Sequence, residues 1–157
     1  MAKVTVSKRI DAPVEDVFSS WDDFGNIYRF HPGLSSSHLL SDAAAPTGVG
    51  TERQCNLADE KNWVKERVEE YVPNQRIVIS VYDTSMPVKT MLATVEFEPI
   101  SENRSRIRLT AEFEPKMGLL GKLMVPLMKR QFRSLLTQML ESNADYVVSG
   151  DVVAAAA

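Results

Sequence analysis

Hydrophobic and polar residues alternate at the start of the chain, and the spacing then changes to that of a helix. Val4, Val6 and Ile10 occupy alternate positions, with Lys8 as a charged interruption, which predicts a half-buried strand. Pro13 suits the first turn of a helix, and after it apolar side chains recur three and four residues apart, at Val14, Val17, Phe18 and Trp21. The pattern predicts one short amphipathic helix here and a second over Phe24–Phe30.

The middle of the chain returns to a period of two. Alternating segments begin at Thr51, Val64, Ile77, Met91 and Ile107, and turn residues separate them, as at Pro73-Asn74, Asp83–Pro87 and Ser101–Asn103. A crossover between parallel strands needs about a dozen residues or more, so such short connections imply antiparallel pairing. We therefore predict a run of consecutive antiparallel strands.

Beyond Pro115 the period becomes helical again. Apolar residues recur every three or four positions, at Leu120, Met124, Met128, Phe132, Leu135 and Met139. A helix over Leu127–Val147 would be about 30 Å long, and Pro126 is expected to kink this region or to begin its second half. A strand, two short helices, a run of strands and a long helix together predict an α+β fold with its helices on one face.

The length of 157 residues suits a single domain of roughly 100–200 residues, which we place at residues 1–147. Residues 148–157 are expected to form a flexible tail, and Ala43–Pro46 a loop. The charged N-terminus and the absence of a long apolar run predict neither a signal peptide nor a spanning helix. With a single cysteine as well, the sequence favours a soluble, cytoplasmic protein.

A series of short motifs is similar, in order and spacing, to a known group of proteins. They are Ile10-Asp11-Ala12-Pro13, Val17-Phe18, the string Asp23–Gly33, Gly48-Val49-Gly50-Thr51, Lys65-Glu66-Arg67-Val68, Met86-Pro87-Val88 and Phe113-Glu114-Pro115. From Val4 to Tyr146 the chain resembles the START/Bet v 1-like (SRPBCC) superfamily, in its bacterial polyketide cyclase/dehydrase branch. The resemblance implies a helix-grip fold, in which a seven-stranded curved antiparallel sheet wraps around one long C-terminal helix, with two short helices between strands 1 and 2.

The resemblance also implies an apolar cavity between sheet and helix, although no single activity follows from it. Applied to the strand and helix registers, it implies ligand contacts from Phe30, Val64, Glu66, Val68, Ser80, Tyr82, Met91, Ala93, Val95, Phe97, Leu109, Phe113, Leu120, Met124, Met128 and Phe132. Both faces of the Ile77–Tyr82 strand are apolar, so periodicity leaves its inward face open. A shift of one residue would take Ser80 and Tyr82 out of the cavity together. The alternative for every lining residue is an ordinary packed core.

Glu66 is a carboxylate where its strand neighbours Val64 and Val68 predict an apolar side chain. A buried charge needs a partner, so Glu66 either contacts a ligand, serves as an acid or base, or pairs with an inward Arg53 on the neighbouring strand. His31, at the end of the second short helix, is a further candidate base or else an exposed polar residue. With two histidines and one cysteine, a histidine- or cysteine-rich metal site is not expected.

The net charge of -3 argues against a nucleic-acid partner, because duplex binding needs a basic surface. One segment departs from this balance: Lys116–Arg133 carries basic residues and no acid among leucines and methionines. Such a composition fits either a solvated helix face or weak contact with an anionic membrane.

The leading hypothesis is a protein that binds an apolar or aromatic small molecule, lipid- or polyketide-like, in the internal cavity. The alternative is a cyclase or dehydratase that uses Glu66, Tyr82 or His31 as acid or base, and a third possibility is a membrane-docking lipid carrier. No cofactor is predicted. Ligand identity, pathway and oligomeric state stay open.

Overall fold

Strands from all parts of the chain pair into one antiparallel sheet in the computed structural model, which describes residues 1–40 and 47–153. Within these residues the sheet has seven strands in the order β1-β7-β6-β5-β4-β3-β2. Their bounds are β1 Ala2–Ile10, β2 Leu34–Leu39, β3 Glu52–Leu57, β4 Trp63–Val72, β5 Arg76–Thr84, β6 Val88–Ser101 and β7 Arg104–Pro115. The predicted loop Ala43–Pro46 and the end of the predicted tail, Ala154–Ala157, lie outside the described residues.

Helices lie against one face of this sheet. Helix α1 covers Val14–Asp22, a 3-10 helix covers Phe24–Arg29, and helix α2 covers Gly118–Ser149. Helix α1 buries the apolar side chains whose spacing predicted it, Val14, Val17, Phe18 and Trp21. The predicted α+β helix-grip fold, with short helices before the second strand and a long C-terminal helix, is confirmed.

Helix α2 is longer than the predicted Leu127–Val147. It begins at Gly118, contains Pro126 within its length and ends at Ser149. The first residues of the predicted tail are therefore helical. Beyond the helix, the backbone N–H of Val153 donates to the carbonyl of Arg29 at 2.7 Å, so this segment is tied to the end of the 3-10 helix.

The strand pair β4–β5 contains two β-bulges. Lys65 pairs with Asp83 and Glu66 with Val81, which leaves Tyr82 as an extra residue on β5. Val68 pairs with Ile79 and the next pair is Glu70 with Val78, so Glu69 is the extra residue on β4. The two bulges offset each other, and the pairing recovers its original register beyond them.

Aromatic side chains fill the part of the sheet's concave face that α1 covers. The ring of Phe18 lies 5.2 Å from that of Phe97 and 5.7 Å from that of Tyr71, both edge-on. Trp21 packs against Phe30 at 5.1 Å. This end of the fold is therefore solid core, and any space for a ligand lies beyond it.

A buried polar chain joins α1 to α2. The indole Nε1–H of Trp21 donates to Asn143 Oδ1 at 3.1 Å, and Asn143 Nδ2 donates to Ser20 Oγ at 2.9 Å. Asn143 is fully buried. Because an unpaired indole N–H in the core is costly, this contact fixes the position of α2 against α1.

Candidate functional site

A cavity of about 380 Å³ lies between the uncovered half of the concave face and helix α2, and it is partly open to the surface. Its wall is mostly apolar, formed by Trp21, Ile27, Gly33, Leu34, Leu57, Ala58, Val64, Ile79, Val81, Met86, Val88, Met91, Ala93, Leu109, Ala111, Phe132, Leu135, Leu136 and Met139. Six polar or ionisable residues interrupt it, His31, Arg53, Cys55, Asp59, Glu66 and Thr84. The cavity is thus an apolar space with a few polar groups, which is the usual composition of small-molecule sites.

The structure places part of the predicted set in this wall. The residues predicted as ligand contacts that do line the cavity are Val64, Glu66, Met91, Ala93, Leu109 and Phe132. They come from β4, β6, β7 and α2, and the strand pairs Met91–Phe113 and Ala93–Ala111 bring the β6 and β7 positions to one face. The side chains are in position for ligand contact.

Five predicted residues lie in the packed core instead: Phe30, Val68, Val95, Phe97 and Phe113. All five are buried in the hydrophobic core, and the three aromatic ones pack against other aromatic rings. Phe113, for example, packs against Phe132 with ring centroids 4.6 Å apart. For these positions the packed-core alternative is the correct one.

Ser80 and Tyr82 point away from the cavity, contrary to the prediction. Ser80 Oγ donates to Glu69 Oε1 at 2.6 Å, and Tyr82 OH donates to Glu52 Oε2 at 2.9 Å on the opposite face of the sheet. Their neighbours Ile79 and Val81 face inward in their place. Because Tyr82 is the extra residue of a bulge, Thr84 also returns to the cavity side.

The predicted helix contacts are displaced toward the C-terminus of α2. Leu120 and Met124 are 63% and 53% exposed and lie outside the cavity wall. Met128 packs against the core but does not line the cavity. The helix side of the wall is formed by Phe132, Leu135, Leu136 and Met139. The start of α2 does not contribute, because its apolar side chains are exposed at the surface.

Arg53 and Glu66 form an ion pair inside the cavity wall. Arg53 Nε donates to Glu66 Oε2 at 2.6 Å, and the side chains are 3% and 16% exposed. Arg53 Nη1 also donates to the carbonyl of Phe24 at 3.0 Å, and the guanidinium lies 3.8 Å from the centre of the Phe24 ring. Glu66 therefore pairs with Arg53, which was one of the alternatives, and also lines the cavity.

His31 forms part of the same wall in a defined protonation state. The backbone N–H of Gly33 donates to His31 Nδ1 at 3.0 Å, so the neutral ring carries its proton on Nε2. Burial and then the nearby Arg53 charge lower the pKa of His31 to about 3. His31 is half-buried rather than exposed, and it is a neutral hydrogen-bond donor at physiological pH.

Cys55 and Asp59, the other ionisable residues of the wall, are held by contacts within the protein. Burial, reinforced by Glu66, raises the pKa of the Cys55 thiol, whose Sγ lies 3.6 Å from Glu66 Oε2. The Asp59 carboxylate accepts the backbone N–H groups of Lys61 and Asn62, each at 2.8 Å, which lowers its pKa and closes a turn. Cys55 is therefore a neutral thiol rather than a nucleophilic thiolate.

Several wall residues were absent from the predicted ligand contacts. Arg53 had the same signal as Glu66, a charge at an inward position between apolar neighbours, and it was considered only as the partner of Glu66. Trp21, Ile27 and Leu34 come from helices and a strand edge that the sheet pattern does not relate to a cavity. Gly33 has no side chain to be recognised by pattern. A Cβ at this position would lie 2.9 Å from the His31 ring, so the site requires glycine or a shift of that ring.

Comparisons with known proteins agree with this architecture. The family described as "Polyketide cyclase / dehydrase and lipid transport" matches residues 1–148, and the chain belongs to that family. A sequence search of curated proteins found no match.

Solved structures share the fold over nearly their whole lengths. XoxI from Bacillus cereus is 18% identical, covers 95% of this chain and 97% of its own, and has a TM-score of 0.78. A START superfamily protein from Mycobacterium smegmatis is 13% identical, with coverage of 93% and 97% and a TM-score of 0.78. Truncated norcoclaurine synthase from Thalictrum flavum is 14% identical, with coverage of 94% of each chain and a TM-score of 0.70. At these identities the likeness shows a shared fold.

Two further observations concern membrane-spanning helices and metal sites among the described residues. None of the helices within 1–40 and 47–153 has the length and hydropathy needed to cross a bilayer. Over the same residues, histidine, cysteine and carboxylate side chains do not gather in a group of three or more suited to a metal ion.

Proposed function

We propose that this protein binds an apolar or aromatic small molecule in the cavity between sheet and α2. The observation that supports this most directly is the 380 Å³ space with its mainly aliphatic wall. This volume equals that of about 12 water molecules, so it holds a ligand, or part of one, with roughly as many non-hydrogen atoms as a fused two-ring system. Cavities of roughly 300 Å³ and above are the range in which proteins hold small ligands.

The test compares two variants on one strand that differ in the face they change. Ala93 lines the cavity and its neighbour Thr94 points to the other face of β6. Ala93→Leu adds apolar volume inside the cavity and should weaken binding of an uncharged fluorescent probe such as 2-methylnaphthalene by about tenfold or more. Thr94→Leu should leave probe affinity within about twofold of wild type, since it adds volume outside the cavity.

Native mass spectrometry of the protein from its own source gives an independent measurement. A retained apolar molecule that is lost in Ala93→Leu supports binding. Equal probe affinity in wild type and Ala93→Leu would contradict the proposal, because the cavity would then not be where the probe binds.

The cyclase or dehydratase alternative retains two of its three candidates. Glu66 and His31 line the cavity, whereas Tyr82 lies on the opposite face. A His31 pKa of about 3 makes the imidazole a weak base, and Glu66 is already paired with Arg53. We therefore place binding first, and a reaction that wild type catalyses and Glu66→Gln abolishes without loss of binding would reverse that order.

A second candidate role, ligand exchange with an anionic membrane, is favoured by the surface at the start of α2. Six large apolar side chains there are more than half exposed, at Met117, Leu119, Leu120, Leu123, Met124 and Leu127. Lys116, Lys122, Lys129, Arg130 and Arg133 lie among and after them, and residues 116–140 contain no acid. Apolar side chains flanked by cations match the two parts of an anionic bilayer surface.

Vesicle sedimentation tests this second role. Wild type should bind phosphatidylserine-containing vesicles at low salt and less at high salt, because counterions screen the cationic side chains. Leu119→Ser with Leu123→Ser should abolish that binding. The matched control is Val152→Ser, another exposed apolar position. Binding that survives the double change would contradict a role for this surface.

A further inference from the structure

Polar groups in the cavity wall are concentrated around one ion pair. Arg53 and Glu66 are joined at 2.6 Å, Cys55 Sγ lies 3.6 Å from the same Glu66 oxygen, and His31 lines the same cavity. We call these residues, His31, Arg53, Cys55 and Glu66, the polar corner. Its charges sum to zero, so a ligand group that enters it meets hydrogen-bonding atoms and no free net charge.

The cation of the polar corner is already engaged. Arg53 uses Nε for Glu66 and Nη1 for the carbonyl of Phe24, and its flat face lies on the Phe24 ring. Its side chain is 3% exposed. The carboxylate counter-ion offsets the charge of this guanidinium and so reduces its attraction for an anionic ligand.

The carboxylate, in contrast, has capacity left. Among the described residues the hydrogen-bond partners of Glu66, Arg53 and Cys55, both meet Oε2. Oε1 is thus an acceptor for a donor in the cavity. His31 supplies the complementary group, since Gly33 occupies Nδ1 and the ring proton lies on Nε2.

We propose that the polar corner selects an uncharged ligand that carries a hydroxyl group, which donates to Glu66 Oε1, over the carboxylate of the same skeleton. This inference rests on the proposed binding function. A hydroxyl can both donate to a carboxylate and accept from an imidazole N–H. A ligand carboxylate would instead face Glu66 Oε1, two like charges in a poorly solvated space.

The experiment uses three probes that fit the cavity: 2-naphthalenemethanol, 2-naphthoic acid and 2-methylnaphthalene. Any apolar cavity disfavours a charged probe, so the decisive quantity is the ratio of acid to alcohol dissociation constants in wild type and in Glu66→Gln. The variant removes the repelling charge and frees Arg53, so the acid should gain about tenfold or more, the usual size of a charged hydrogen bond, relative to the alcohol. Glu69→Gln, the same substitution on the opposite face of β4, should leave the ratio unchanged.

A ratio that is the same in wild type and Glu66→Gln overturns the selection. If none of the three probes binds wild type, the proposed binding function fails with it. If 2-methylnaphthalene binds and the ratio does not respond, only the role of the polar corner fails.

Glu66→Gln leaves Arg53 without its counter-ion and is liable to unfold, so a measurement on wild type is paired with it. With carboxyl-¹³C-labelled glutamate, 2-naphthalenemethanol should shift the Glu66 signal, whereas 2-methylnaphthalene should not. A Glu66 signal that moves equally with both probes overturns the proposed hydrogen bond.

Discussion

Arg53 on β3 and Glu66 on β4 are directly paired across neighbouring strands, and their side chains meet at 2.6 Å on the face that lines the cavity. Burying this pair costs solvation of both charges, and their attraction and the Phe24 contacts offset that cost. The effect of this pair on stability can be measured by unfolding experiments, separately from its effect on ligand binding.

Removing one member of the pair should destabilise the protein more than removing both. Arg53→Met or Glu66→Leu alone leaves an unpaired charge in the wall, at a cost of about 3 kcal/mol. The double variant leaves none and should lose less stability than either single variant. Urea unfolding of the four proteins gives the coupling free energy, and additive losses would show that the pair contributes nothing.

His31 should make the protein acid-sensitive. The folded pKa is about 3 and the ordinary value is 6.5, so between these values the unfolded chain binds a proton that the folded one does not. The stability contributed by neutral His31 is complete above pH 6.5 and is lost as the pH falls toward 3, by at most about 1.4 kcal/mol per pH unit.

His31→Asn keeps an acceptor for the Gly33 N–H but does not titrate in this range. The free energy of unfolding, measured across the acid range, should therefore fall less steeply in His31→Asn than in wild type. The exposed His38→Asn is the matched control and should retain the wild-type slope. Identical slopes in all three proteins would mean that the folded and unfolded states bind the His31 proton equally.

Asn143 should be required for the contact between α1 and α2. Asn143→Leu keeps the number and branching of side-chain heavy atoms but leaves the indole N–H of Trp21 without its acceptor, which should cost about 1–3 kcal/mol. Gln138→Leu, at an exposed position on the same helix, should cost less than about 0.5 kcal/mol. Thermal unfolding distinguishes them, and equal midpoints would show that the buried amide is dispensable.

Gly121 should tolerate no side chain. A Cβ at this position would lie 2.1 Å from the backbone carbonyl oxygen of Lys116, so Gly121→Ala must displace the connection between β7 and α2. We expect a loss of about 3 kcal/mol, typical of a forced backbone shift. Gly118→Ala meets open space and strains only the backbone at φ 53°, which should cost about 1–2 kcal/mol. Equal losses would contradict the close contact.

Amide exchange should be uneven along α2. Residues 117–127 present exposed apolar side chains, whereas Leu136, Met139, Leu140 and Asn143 are buried. Helical segments with few packed side chains open more readily, so amides of the first segment should exchange faster than those near Leu140 and slow when ligand is added. Uniform exchange along the helix would contradict a less stable first segment.

The fold was predictable because periodicity reports directly on which faces are buried. Changes between a period of two and a helical period located the helices and every described strand except β2, and short turns fixed antiparallel pairing. The cavity was predictable only in part. Side chains that line a space and side chains that fill it, such as Ala93 and Val95 on one strand, have the same pattern of burial in sequence.

Two other errors have local physical causes. Alternation assumes an unbroken pleat, and the bulge at Tyr82 breaks it without any change in composition. The helical stripe of Leu120 and Met124 continues that of Phe132 without interruption, yet only the later residues face the sheet. Periodicity identifies the side of a helix that is apolar, but not the length over which another element covers it.

The bulge at Tyr82 makes β5 unequally sensitive to changes in length. Deletion of Tyr82 would restore a regular alternation, with Val81 and Thr84 still facing the cavity and Asp83 still outside. Deletion of Ser80, a few positions earlier, would reverse the faces between Ile79 and the bulge. A change in the length of this strand is therefore expected to be tolerated at Tyr82 and not at Ser80. A change at Tyr82 alters the outer face of β5 and keeps the cavity-lining side chains on the cavity face.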